Sequence, residues 1–127
     1  MPWLILVLRL IHIICGVFWA GGTFGFVGFV EPTASASGPE GGRFVQALAL
    51  KSGYPQSMMG AGLLAVLSGA WLLWLDSGGF QPAWMARGMG VALSIGALSG
   101  LAAAVLGFGV QNRNAMRLGA VARAVQV

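Results

Sequence analysis

The sequence predicts an all-α fold: an integral membrane helical bundle of three transmembrane helices, or a four-helix bundle that lacks its last member. Three observations predict it. Of the 127 residues, 57% are apolar and only 8% are charged, against about 25% charged residues in an average soluble domain. The apolar residues gather into three runs, each near or above the roughly 20 residues that cross a bilayer as a helix. The breaks between the runs, together with the tail, hold most of the prolines, charges and paired glycines.

The first run extends from about Trp3 to Val30, interrupted only by Arg9 and His12. It is long enough to cross with tilt or to project beyond the lipid. It is also too long for a signal peptide, and no charged segment precedes it. Glu31 and Pro32 end it, and Glu31 to Gly42, rich in Pro, Ser, Ala and Gly, reads as a loop. Arg43 to Ser52 has helical spacing, with Phe44, Leu48 and Ala47 toward one face. It reads either as a short interfacial helix or as an extension of the second span. Gly53 and Pro55 mark a break.

The second span is expected from about Ser57 to Leu75, with Trp71 and Trp74 at its end, where aromatic belts lie. A short turn follows, Asp76 to Gly79, and Pro82 opens the next element. The third span is expected from about Ala83 to Val110, beginning with Trp84 and carrying Arg87. The tail, 111–127, reads as a basic amphipathic helix at the membrane surface, with Arg113 and Arg117 on one face and Arg123 beyond. All 127 residues thus form one transmembrane domain.

Seven cations against three acids give a net charge of +4. They flank apolar runs and do not cluster on a soluble face, which points away from nucleic acid and toward membrane anchoring. The expected localisation is the cell membrane, of the bacterial inner-membrane type. With the N-terminus outside and the tail cytoplasmic, Arg43, Lys51, Arg113, Arg117 and Arg123 fall inside, and Arg9 and Arg87 fall toward the outer ends of their helices. The opposite orientation violates the positive-inside rule.

Helices in lipid pack through small residues that let backbones approach. Such residues recur at four-residue spacing: Gly21 and Gly25; Ala61, Ala65 and Gly69; Gly96, Gly100 and Ala104. Packing within the chain explains part of this pattern. Three short spans carry more small faces than they need for one another, so other transmembrane subunits are expected as partners beside the lipid itself.

The catalytic inventory is thin: one His, one Cys, one Asp and two Glu, with no carboxylate pair inside a span. This points away from an enzyme. His12 is the residue that stands out, because ionisable groups inside a membrane are costly and face the bundle interior. A helix brings Arg9, Cys15, Gly16 and Trp19 onto or near its face. The simpler reading is a hydrogen bond from His12 to a carbonyl or hydroxyl of another helix. The sharper one is a ligand to the metal of a haem or a (bacterio)chlorophyll, with Gly16 leaving room for a flat ring and Arg9 pairing with a propionate. Copper is a further option, with His12, Cys15, Met58 and Met59 as its donors. The donors lie at mismatched depths, which argues against one shared site.

The stretch Leu10-Ile11-His12, then Gly16 and Phe18-Trp19-Ala20-Gly21-Gly22, resembles the opening of the CopD-like copper-resistance membrane domains and their uncharacterised four-span relatives. It is also similar, more distantly, to the membrane protoporphyrinogen oxidase family. Leu67-Ser68-Gly69-Ala70-Trp71 and Arg117-Leu118 fit the same layout. The resemblance implies four or more spans, whereas this chain stops where the fourth would begin. It carries over one position, His12, as a haem or metal ligand; the oxidase family's further charged residues have no match here. Two functions are therefore expected to compete. One is a non-catalytic accessory subunit within a larger membrane complex of respiratory or photosynthetic type. The other is a protein binding haem, chlorophyll or copper through His12.

Overall fold

A computed structural model describes the backbone of residues 1–125 and the side chains of residues 1–110 and 113. The fold is all-α, with no strand among the described residues. Three of its helical segments, Pro2–Ala36, Tyr54–Asp76 and Gly88–Val110, are long and apolar enough to cross a membrane. The chain forms two compact units, Met1–Asp76 and Ser77–Val127.

In the first unit, helix α1 (Pro2–Gly25) begins with a proline at its first position, where the missing N–H costs nothing. It runs without a break into a π-helical turn, Phe26–Val30, and then into α2 (Glu31–Ala36). The expected loop over Glu31 to Gly42 is therefore largely helix. The physical reason lies at Pro32, whose ring would press on the Gly28 carbonyl one regular turn back. The backbone widens just before it, so that the Glu31 N–H donates to Phe26, five residues back and not four. The widened turn takes up the proline and lets the helix continue.

The chain reverses at Ser37 and Gly38, whose φ of +61° is left-handed and suits glycine. Helix α3 (Gly38–Lys51) then packs on α2. The corner is tight, because a Cβ at Gly41 would overlap the Ala34 carbonyl. Gly41 is buried and Val45, Leu48 and Ala49 are half-buried, so these form the inward face; Phe44 lies exposed. The stretch expected from Arg43 is thus part of a separate helix, α3, which ends at Lys51 and is parted from the second span at Gly53, with φ +70°.

Helix α4 (Tyr54–Asp76) starts three residues before its expected beginning and is antiparallel to α1. The direction follows from the partners: Phe26 stacks on Tyr54, Gly22 meets Met58, His12 reaches Ala65 and Gly69, and Arg9 pairs with Asp76. The seam on α1 consists of Leu8, Ile11, Cys15, Trp19, Gly22 and Phe26, all buried or half-buried. Their three- and four-residue spacings keep one face of α1 turned toward α4. The facing stripe on α4 is Met58, Ala61, Gly62, Ala65, Ser68 and Leu72, all buried. Small residues at its centre bring the backbones together; the expected Ala61, Ala65 and Gly69 all lie on this side.

In the second unit, a turn over residues 77–80 leads to α5 (Pro82–Met85) and α6 (Gly88–Val125). The third span thus starts at Gly88 and not at Ala83, and Trp84 and Arg87 precede it. The break is a close corner, in which a Cβ at Gly90 would overlap the Trp84 carbonyl. The backbone of α6 continues unbroken to Val125. The amphipathic face expected for the tail, with Arg117 and Arg123, lies outside the described residues.

Candidate functional site

The α1–α4 seam holds the polar groups of the first unit at three levels. At the middle level, His12 Nδ1 lies 2.8 Å from the carbonyl oxygen of Ala65. A carbonyl only accepts, so Nδ1 carries the hydrogen and donates it. In the neutral ring the lone pair then sits on Nε2. The ring occupies the place where Gly69 lacks a side chain: a Cβ there would stand 2.6 Å from Cε1 and 2.9 Å from Nδ1. Ala65 and Gly69 are one helical turn apart, so one supplies the acceptor and the other the space. The Ala65 carbonyl also accepts from Ser68 Oγ at 3.2 Å. His12 is nonetheless exposed on its outer side.

At one end of the seam, Arg9 Nη2 and Asp76 Oδ1 lie 3.6 Å apart, with the Arg9 side chain 58% exposed. At the other end, Tyr54 Oη donates to the Gly22 carbonyl at 2.8 Å, and its ring stacks on Phe26 at 5.9 Å between centroids. Met58 closes over Gly22, where a Cβ would stand 2.7 Å from its sulfur.

The residues singled out in the sequence separate as follows. Arg9 and His12 stand one turn apart on α1, with Arg9 engaged by Asp76. Gly16 is half-buried, and apart from the adjoining turns of α1 nothing in the Met1–Asp76 unit comes within 4 Å of where its Cβ would be. Trp19 and Cys15 lie half-buried along the same seam. Met58 faces Gly22, ten residues from His12 along α1, or about 15 Å at 1.5 Å per residue. Met59 lies exposed. The four residues considered for copper are therefore not brought together. Among the described residues, no group of three or more His, Cys, Asp and Glu side chains is placed to hold a metal.

Two partners escaped the sequence reading. Asp76 looked like a turn residue, and only the antiparallel pairing puts it beside Arg9. Tyr54 lay before the expected start of the second span, so its hydroxyl had no assigned place. No family model, curated protein or solved structure matches the chain.

Proposed function

We propose that the chain is a non-catalytic polytopic subunit that packs within a larger membrane protein assembly, of respiratory or photosynthetic type. The observation that carries this reading is on α1. The helix uses Gly22 against α4, while Gly21 and Gly25, one turn apart, and Gly28 in the π-helical turn that follows lie away from that contact. Apart from the adjoining turns of their own helix, nothing in the Met1–Asp76 unit comes within 4 Å of a Cβ built at any of the three. Glycine is costly in a helix facing only lipid, because Ala or Leu would serve there without the entropy loss. A stripe of it is suited to the close approach of another transmembrane helix. In this reading the N-terminus is outside a bacterial inner membrane, and Arg43 and Lys51 are on the cytoplasmic side.

The test is purification from native membranes in mild detergent. Stoichiometric co-purifying membrane proteins, displaced by Gly21→Leu/Gly25→Leu while the chain stays folded, are the expected result. A chain that elutes alone, in wild type as in the variant, overturns the reading.

A second reading rests on His12, which is a ligand for haem, (bacterio)chlorophyll or copper in this view. It is supported by the hydrogen bond at Nδ1, since metal-bound histidines commonly donate the other ring N–H to a carbonyl and present the free nitrogen to the metal. A bound tetrapyrrole would supply the light absorption or redox chemistry. His12 Nε2 would hold its metal, Gly16 would leave room for the ring plane, and Arg9 would exchange Asp76 for a propionate. An absorption band of the purified protein that disappears in His12→Ala supports this reading. A colourless wild-type protein overturns it for haem and chlorophyll, and metal analysis without copper does so for copper.

A further inference from the structure

We infer that the outward face of α3 is a binding surface for anionic phospholipid headgroups of the membrane that the adjoining helices cross. The Phe26–Tyr54 stacking puts the start of α4 level with Phe26 of α1. The α1–α2 rod continues to Ala36, about 15 Å farther at 1.5 Å per residue. Helix α3 returns the chain from Ser37 to that level, where Lys51 stands three residues before the first residue of the second span. It therefore passes through the layer where two apolar helices meet the headgroups, which is several Å deep on each side of the hydrocarbon.

Gly41, Val45, Leu48 and Ala49 are turned inward. Arg43, Ala47 and Leu50, at spacings of four and seven, form the opposite stripe, with Lys51 beside it. Leu50 is 69% exposed. Arg43, Gln46, Ala47, Leu50 and Lys51 together line a shallow recess of about 370 Å³. Among the described residues, neither Arg43 nor Lys51 belongs to an ion pair. Two cations two turns apart, with an apolar floor between them, match a phosphate over the first carbons of an acyl chain. An acidic protein surface or a free phosphate would complement the charges and leave Leu50 in water. Long basic side chains next to a span also reach up to headgroups while their stems stay in the apolar layer.

The reading is independent of the assembly proposed above, because it needs only the chain and its lipid. The full chain is reconstituted in nanodiscs of mixed phosphatidylglycerol and phosphatidylcholine, extracted in mild detergent, and its retained lipid measured by native mass spectrometry. Wild type is expected to retain phosphatidylglycerol preferentially, by roughly fivefold for each cation at the surface. The preference should fall in Arg43→Gln and Lys51→Gln, nearly vanish in the double variant, survive in Arg43→Lys, and weaken as salt rises. Leu50→Ser should lower total retention with the headgroup preference kept. Equal retention of both lipids by wild type, or an unchanged preference in the double variant, overturns the inference. So does an equal loss in Arg113→Gln, which would assign the effect to net charge. Should the double variant fail to fold, the salt dependence of wild type decides: a preference indifferent to ionic strength overturns the inference.

Discussion

Replacing Gly69 by alanine tests whether His12 and α4 are locked together as described. The new Cβ would stand 2.6 Å from His12 Cε1 and 2.9 Å from Nδ1, whereas non-bonded carbon atoms settle at about 3.5–4.0 Å. The ring must retreat by about 1 Å. That stretches the 2.8 Å bond to Ala65 past the roughly 3.2 Å reach of an N–H···O bond. The lost interhelical bond is worth about 0.6 kcal/mol on average in a membrane protein and at most about 1.7. Crowding a packed interface costs a further 1–3 kcal/mol or so. Against this, alanine gains about 1 kcal/mol over glycine in a helix interior. Gly60→Ala on the same helix isolates that gain, because nothing lies within 4 Å of its Cβ position. Gly69→Ala should therefore be less stable than Gly60→Ala by about 2–3 kcal/mol, measured by reversible denaturation of the reconstituted chain followed by circular dichroism. His12→Ala should relieve the crowding, so the double variant with Gly69→Ala should be more stable than the sum of the single effects. Equal stability of Gly69→Ala and Gly60→Ala, or strict additivity with His12→Ala, would refute the packing described.

Other outcomes follow from the same geometry. Gly41→Ala pushes a Cβ into the Ala34 carbonyl, a backbone atom that cannot move alone, so it should cost more than Gly22→Ala, where the flexible end of Met58 yields; hydrogen exchange at 34–41 should rise in the first and not the second. Tyr54→Phe keeps the stacking on Phe26 and loses the bond to the Gly22 carbonyl, a destabilisation of about 0.6 kcal/mol and no more than about 1.7, read from the same denaturation curves. Asp76→Asn removes a partly exposed ion pair and should change stability by less than about 1 kcal/mol, with the difference from wild type shrinking as salt is raised. Phe80, at φ +61°, is in a region that costs a non-glycine residue about 1–2 kcal/mol, so Phe80→Gly should raise the midpoint of denaturation if the turn is formed as described.

Much of this arrangement was legible in the residues. The three apolar stretches and the Ala61, Ala65 and Gly69 stripe follow from transfer energetics and helix period, which act locally. The corner was not legible. Pro32 followed by a Ser- and Gly-rich segment has the composition of a loop, and only the widened turn before it shows why the helix survives. The third span was set too early because Pro82 and Trp84 suit a helix start; the break after Met85 depends on Gly90 admitting a carbonyl from the preceding turn, a contact with no signature in composition. His12 stood out because a lone imidazole in an apolar run is conspicuous. Its acceptor could not be named, since that depends on which residue of α4 lies opposite.

The widened turn at Phe26–Val30 also sets the bearing of everything after it. One surplus residue in a coil sets each later side chain back by about 100° around the axis. The α4 seam of α1 ends at Phe26, opposite the first residue of α4, and the next fully buried residue, Ala34, looks toward α3. The azimuth at which the corner leaves the first helix is thus encoded within that helix, upstream of the reversal. Pro32→Ala, by restoring the regular ladder, should swing the corner around the rod, which spin-label distances between Arg43 and α4 positions would register.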